Sequence, residues 1–296
     1  MSNILTTLFV GMADFREYAP GAETNNSLKD LFPAGTAARK RIDVILTPAV
    51  TDAIVTENSA EMMDMLRTAI ANLTCCHQLV FDAVNRRKAD TDVYRYELEK
   101  MQRTYMENYY TAMDSIIQAL TSVTPQDGDT TSSAAKWRSS RYFKLLKTCR
   151  ISTCEEFDTI FPIDLSFLFF FRTAPLQKEC VDERLGAYYD RAEGNGNEQI
   201  ATMLNLALAK KTIAKALRRF DILEFPPTIR NLFEENTSTR SGSDEHNQAM
   251  LLADRLDGEA DELLGNVDIL LSDDENTDFS TETSFNRPED VIIMMP

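Results

Sequence analysis

The sequence predicts a mainly α-helical protein: two tandem, related helical domains with an extended N-terminal arm and an extended C-terminal arm. Three observations predict it. Long stretches carry apolar residues at i, i+3, i+4 and i+7, the spacing of one helix face. One turn-rich stretch, TPQDGDTTSS at residues 124–133, separates them. Features on one side of that stretch recur in the same order on the other. The expected organisation is an arm over 1–33, a helical domain over 34–123, a linker over 124–133, a second, related helical domain over 134–264, and an acidic arm with an apolar terminus over 265–296.

Gly11, Pro20, Gly21 and Asn25-Asn26 interrupt any apolar period in residues 1–33, which reads as irregular or partly extended backbone. From Ala37 to Val55, Ile42, Ile45, Leu46, Ala49 and Ile54 fit a helix. Pro48 must kink or break it, because proline has no amide hydrogen and its ring clashes with the preceding turn. Asn58 followed by Glu61 reads as a capping-box start. Met62, Met65, Leu66, Ala69, Ile70, Leu73, Cys76 and Val80 then share one stripe. After a polar excursion at Asn85–Asp92, which holds Arg86-Arg87-Lys88, a second long helix runs from about Val93 to Leu120.

Beyond the linker, Ala135 to Lys147 reads as an amphipathic helix with Tyr142, Leu145 and Leu146 on one side. Arg138, Arg141, Lys144, Lys147 and Arg150 recur by threes, and no acid lies between Asp129 and Glu155. Each step of three rotates a residue back by about 60°, so these cations spread over a wide face. They are the candidate interface residues, against the plainer reading of a solvated face. Thr153 with Glu156 starts a short helix, and FPIDLSFLFFFRTAP leads into a helical stretch to about Arg191. The GNGN at Gly194–Asn197 is a flexible break. Glu198–Phe220 is a strong helix ended by Phe225-Pro226-Pro227, and a last helix spans about Glu245 to Leu264.

The repeat rests on two windows. Met65-Leu66-Arg-Thr-Ala69-Ile-Ala71-Asn-Leu-Thr74 matches Met203-Leu204-Asn-Leu-Ala207-Leu-Ala209-Lys-Lys-Thr212 at five of ten positions. A Phe-Pro pair precedes each, Phe32-Pro33 and Phe161-Pro162, followed by a helical stretch broken by one proline, Pro48 or Pro175. Phe81-Asp82 and Phe220-Asp221 follow the windows. Alanine and leucine recur by chance in helices, so the shared order weighs more than the identities.

The formal net charge is −16. It is concentrated: residues 234–296 hold 17 acidic and 3 basic residues, leaving the preceding chain nearly neutral. Charge alone therefore does not draw the protein to nucleic acid. Five cysteines, Cys75, Cys76, Cys149, Cys154 and Cys180, are an odd number without zinc-ribbon spacing, and free thiols are expected. The longest apolar run, Leu165–Phe171, is far short of the ~18 residues a membrane helix needs. MSNILTTLFV has no basic residue ahead of its apolar ones, so neither a secretory signal nor a membrane span is expected.

No catalytic motif stands out. His77 adjoins Cys76 on a helix, where neighbours point about 100° apart and serve each other poorly as nucleophile and base. His246 lies in a polar segment. GNGNEQ lacks the third glycine and preceding strand of a dinucleotide loop, and Asp273-Asp274 lacks the spaced ligands of a calcium loop. A non-enzyme without cofactor or metal is expected. The end of the chain changes character: Asp273–Glu282 is acidic, whereas Phe285, Val291, Ile292, Ile293, Met294 and Met295 form an apolar terminus, read as an arm that docks on a partner, against the plainer reading that VIIMMP folds back onto its own subunit.

Three segments, LRTAIANL at Leu66–Leu73, ELEKMQRTYMENYYTAMDSIIQAL at Glu97–Leu120, and Trp137 followed by STCEEFDTIFPIDLSFL at Ser152–Leu168, carry a resemblance. Over Ser27–Phe233 the chain resembles virion structural proteins of tailed phages of the Bacteroidota, of the head-to-tail connector or adaptor type. The resemblance implies a homo-oligomeric ring of about twelve subunits in the virion neck or tail, made in the host cytoplasm. It also implies contact with the portal protein and further neck or tail rings, and a channel passing double-stranded DNA without sequence-specific binding. The chain differs from that pattern in its short Asn85–Asp92 excursion and its acidic C-terminus. The competing class is a cytosolic helical scaffold or regulatory adaptor whose acidic tail recruits a basic partner.

Overall fold

Proline and hydroxyl caps divide the chain into helices much where the sequence places them. The computed structural model describes residues 3–22, 27–88, 95–232 and 242–275; it is mainly helical, with no strand among those residues. The first half comprises α1 (Ile4–Leu8), α2 (Met12–Tyr18), α3 (Phe32–Leu46), α4 (Pro48–Glu57), α5 (Ala60–Lys88) and α6 (Arg95–Ser122). Pro48 breaks the predicted 37–55 helix in two: Thr47 takes a φ of 78°, and Pro48 opens α4, where a missing amide hydrogen costs nothing. Asn58 does not start α5 as expected. It closes α4 in the left-handed conformation, φ 50°, which asparagine tolerates better than most residues, and α5 begins at Ala60.

Residues 1–33 are not an extended arm where they are described. Asn3 caps α1 by accepting from the Leu5 amide at 3.0 Å and donates to the Phe32 carbonyl at 3.2 Å. Leu5, Leu8, Phe9 and Phe15 are buried, and Leu5 packs so close to α3 that a Cβ on Gly35 would sit 2.7 Å from it. From α5, Arg67 donates to the Leu8 carbonyl at 3.0 Å and Asn72 to that of Tyr18 at 2.9 Å. The glycines and proline that broke the apolar period mark turns between short helices, and burial of alternate apolar side chains supplies the order that periodicity could not reveal.

The second half comprises α7 (Ser133–Arg138), α8 (Arg141–Leu146), α9 (Cys154–Ile160), α10 (Phe167–Cys180), a π turn at Val181–Leu185, α11 (Gly186–Ala192), α12 (Glu198–Arg219), a 3₁₀ turn at Ile222–Glu224, α13 (Pro227–Arg230) and α14 (Gly242–Glu275). The predicted 135–147 helix is two, because Ser140 turns its hydroxyl onto the Phe143 amide at 3.3 Å and starts α8 afresh. Thr153 caps α9 by accepting from the Glu156 amide, as its spacing predicted. Pro175 lies on the exposed side of α10 and does not break it, unlike Pro48. The π turn follows, and Gly186 is required there, since a Cβ would stand 2.9 Å from the Val181 carbonyl oxygen.

Helix α14 extends through the 264/265 boundary drawn from sequence. Ala249, Ala253, Leu256, Ala260, Leu264, Val267 and Leu271 are buried along it, an unbroken stripe laid chiefly on α12. The recurrent order has a counterpart in the packing. α3 packs on α5 and α5 on α6; correspondingly α10 packs on α12 and α12 on α14. The matched residues share burial too: Leu66 and Leu204, Ala69 and Ala207, Ala71 and Ala209, Thr74 and Thr212 are all buried. Phe81-Asp82 departs from the pattern, lying inside α5, whereas Phe220-Asp221 follows the end of α12.

The buried residues nevertheless form one cluster that crosses residues 124–133. Trp137 of α7 is wholly buried, donates to Thr121 of α6 at 3.1 Å and packs 4.9 Å from Phe171 of α10. Carboxylates of the first half cap helices of the second: Glu57 accepts from the Ser133 amide and, at 2.6 Å, its hydroxyl, and Asp114 accepts from the Leu168 amide at 2.7 Å. No helix among the described residues is long and apolar enough to cross a membrane.

Candidate functional site

The five predicted interface cations fall into two groups. Arg138 donates to the Val123 carbonyl at 3.0 Å and the Thr121 carbonyl at 3.3 Å, and Arg141 to that of Val44 at 2.8 Å. Both guanidinium groups thus serve the C-terminal ends of α6 and α3, where unpaired carbonyls and the helix dipole favour a cation. Lys144, Lys147 and Arg150 are exposed and have no hydrogen bond or ion pair among the described residues. Two of them lie over aromatic rings: Lys147 is 5.9 Å from the Phe143 centroid and Arg150 is 4.7 Å from that of Tyr189. Arg141 shares α8 with Lys144 yet caps α3, so a single helical projection of 135–147 could not sort them.

Along α12 the cations are engaged. Arg218 of α12 meets Asp254 at 2.7 Å and Asp257 at 2.6 Å; Lys210 meets Glu259 at 2.6 Å, and Lys211 meets Asp261 at 3.0 Å. Arg184 pairs with Asp261, and Arg191 of α11 with Asp268, at 2.7 and 2.6 Å. Five of the 17 acids counted after residue 233, Asp254, Asp257, Glu259, Asp261 and Asp268, are therefore matched within the fold. The docking-arm residues Phe285, Val291, Ile292, Ile293, Met294 and Met295 lie outside the described residues.

Beside the free cations runs a groove of about 550 Å³. Phe167, Phe170 and Phe171 floor it, Phe143 and Leu146 wall it, and Arg138 and Lys147 stand on its rim with one carboxylate, Glu155. The sequence flagged FLFFF only as too short for a membrane span. A run apolar on every side of a helix, however, must be covered on every side, and here α8 and α9 cover it incompletely.

Two further polar sites occupy the junction of the halves. Glu224 lies 2.9 Å from Arg172 of α10 and 3.8 Å from Arg41 of α3, beside a cavity of about 80 Å³. A second cleft of about 560 Å³ is lined by Glu107, Asp114, Asp164 and Arg230. Burial pushes the Asp114 carboxyl up to about 6, against the pull of the Leu168 amide and the Ser166 hydroxyl. A carboxyl raised above its unfolded value contributes stability fully below about pH 4 and loses it as pH rises through about 6. Asp114→Asn keeps an acceptor for the Leu168 amide without the buried charge. We expect its stability relative to the native protein to increase between pH 4 and 7 by on the order of 2 kcal/mol in urea denaturation. A difference that stays flat with pH would mean the carboxylate is hydrated.

Cys76 and His77 are tuned away from nucleophilic chemistry. Burial raises the Cys76 thiol and, helped by Arg41, lowers His77, whereas a thiolate–imidazolium pair requires the opposite shifts. Burial likewise pushes Cys75 to about 12 and both Cys149 and Cys180 to about 11. Among the described residues no group of three or more His, Cys, Asp and Glu is arranged to hold a metal ion.

No protein-family model matches the chain, and no significant match was found among curated proteins or solved structures.

Proposed function

We propose that the protein is a non-enzymatic assembly component, a head-to-tail connector or adaptor subunit of a tailed phage, forming a ring between portal and tail around the DNA channel. The observation that carries an assembly role is the contrast in charge pairing: Lys144, Lys147 and Arg150 stand free on one face, while the cations of α12 are matched with acids. A fold that pairs its charges so fully along one seam leaves a cluster available where a partner supplies the acids. The connector type itself comes from the resemblance over Ser27–Phe233. The scaffold alternative would use the acids from Asp273 onward, since Asp257 and Asp261 of α14 are paired within the chain.

Electron microscopy of the purified protein and of virion fractions tests the reading. Closed rings located at the neck are expected; a monomer absent from particles would overturn it. Lys144→Glu with Lys147→Glu spares the two capping arginines, so folding should be unchanged while ring formation falls. Exposed ion pairs contribute only about 0–1 kcal/mol each, which makes the expected effect a weakened assembly and not its abolition. Sedimentation profiles identical to those of the native chain would mean that the face is merely solvated.

A further inference from the structure

We propose that the aromatic groove between α8 and α9 is the docking site for the acidic, phenylalanine-containing segment Asp278–Asp290 of the same chain. This holds whether or not the protein assembles into a ring. Three observations lead there. The first is chemical complementarity. The groove offers an aromatic floor, Phe167, Phe170 and Phe171, with Arg138 and Lys147 on its rim, and Lys144 lies on the same helix as its wall residues Phe143 and Leu146. Residues 278–290 carry Asp278, Glu282, Glu289 and Asp290 against the single cation Arg287, and interleave them with Phe279 and Phe285. An aromatic ring fills an apolar groove while neighbouring carboxylates meet the rim cations, the arrangement such peptide-binding grooves use.

The second is position. Near its C-terminal end α14 lies against α11: Asp268 accepts from Tyr188 at 3.1 Å and from Arg191 at 2.6 Å. The next residue on α11, Tyr189, lies under Arg150, 4.7 Å away. One helix therefore separates the last part of α14 from the cationic face, and packed helices stand ~8–10 Å apart. From Glu275, the end of α14, to Phe285 an extended chain reaches roughly 33–36 Å, several times the spacing of packed helices.

The third is the charge pattern. Asp254, Asp257, Glu259 and Asp268 of α14 are matched by cations of α11 and α12, whereas Lys144, Lys147 and Arg150 have no acidic partner among the described residues. Glu155, the one carboxylate on the rim, sits at the α9 side, away from the Lys144–Lys147 side of α8.

Zero-length carbodiimide cross-linking of the full chain, mixed equally from ¹⁴N and ¹⁵N preparations, tests this. We expect Lys144 or Lys147 joined to Asp278 or Glu282 in isotopically uniform cross-links, alongside Lys210–Glu259 as an internal positive control. Isotopically mixed cross-links would assign the groove to a second copy and overturn the proposal. So would a strong Lys210–Glu259 product with no linkage from Lys144 or Lys147 to residues 276–296. Phe279→Ser with Phe285→Ser should lower the yield several-fold if the rings occupy the groove; an unchanged yield would refute the groove as the seat.

Discussion

Replacing Phe15 with alanine is expected to destabilise the protein by about 3–5 kcal/mol, the usual cost of deleting a fully buried aromatic side chain. Phe15 has no exposed surface and meets Phe9 edge-on at 5.0 Å, while Phe9 packs 5.9 Å from Tyr18. Tyr18 in turn donates to Asp64 of α5 at 2.8 Å. The cavity left by the substitution would be held open by three elements, α1, α2 and α5, none of which can collapse alone. For a chain of this size the melting temperature should fall by roughly 6–15 °C. The prediction discriminates sharply, because a side chain on a detached arm would leave thermal stability unmoved. Differential scanning calorimetry of the single variant reads it directly.

Glu224→Ala is the second large effect, at about 2–3 kcal/mol. Its side chain is only 14% exposed and stands between Arg172 and Arg41. Burial raises the Glu224 carboxyl and the two guanidinium groups pull it back, so the carboxylate owes its charge to them. Removing it leaves two partly buried cations facing each other beside a cavity, and breaking such a pair costs far more than the pair's net contribution. Because Arg41 remains partly hydrated, the loss falls below the full penalty for a buried pair. Urea denaturation measures it, and Arg172→Met added to Glu224→Ala should recover much of the loss. A single variant within about 0.5 kcal/mol of the native protein would mean that water replaces the carboxylate without difficulty.

Both substitutions act where the halves and the N-terminal segment meet, and there the sequence was least legible. The long helices were read correctly because each buries a stripe along its whole length, and a period of 3.6 is visible without knowing the partner. Leu66, Ala69, Ile70 and Leu73 on α5, and Ile200, Leu204 and Ala207 on α12, are buried as their spacing predicted. Short helices of five to seven residues, such as α1, α2 and α8, are too brief for a period to register. Their order comes from contacts distant in sequence, as Asn3 with Phe32 and Arg67 with Leu8 demonstrate.

The candidate site was half legible. A run of cations without an acid from Asp129 to Glu155 is plain in the sequence, but the distribution of work among them is not. Arg138 and Arg141 became helix caps because α6 and α3 end beside them, a fact of packing. Lys144, Lys147 and Arg150 have no acidic partner among the described residues. The groove was invisible as such, since an apolar run announces burial and not the place where burial is incomplete.

By itself the sequence determined the helical class, the position of the Pro48 break, the cap at Thr153, the concentration of charge after residue 233 and the parallel order of features in the two halves. Each of these is local chemistry: a stripe, a ring without an amide hydrogen, a hydroxyl within reach of an amide three residues on. The tertiary structure alone decided that the N-terminal segment joins the core, that Pro175 is absorbed within α10, and that the acids of α14 neutralise α12. It also decided that one hydrophobic core runs through both halves. These outcomes depend on which surfaces meet, and the free energy of meeting belongs to pairs of elements far apart in the chain, where no local pattern records it.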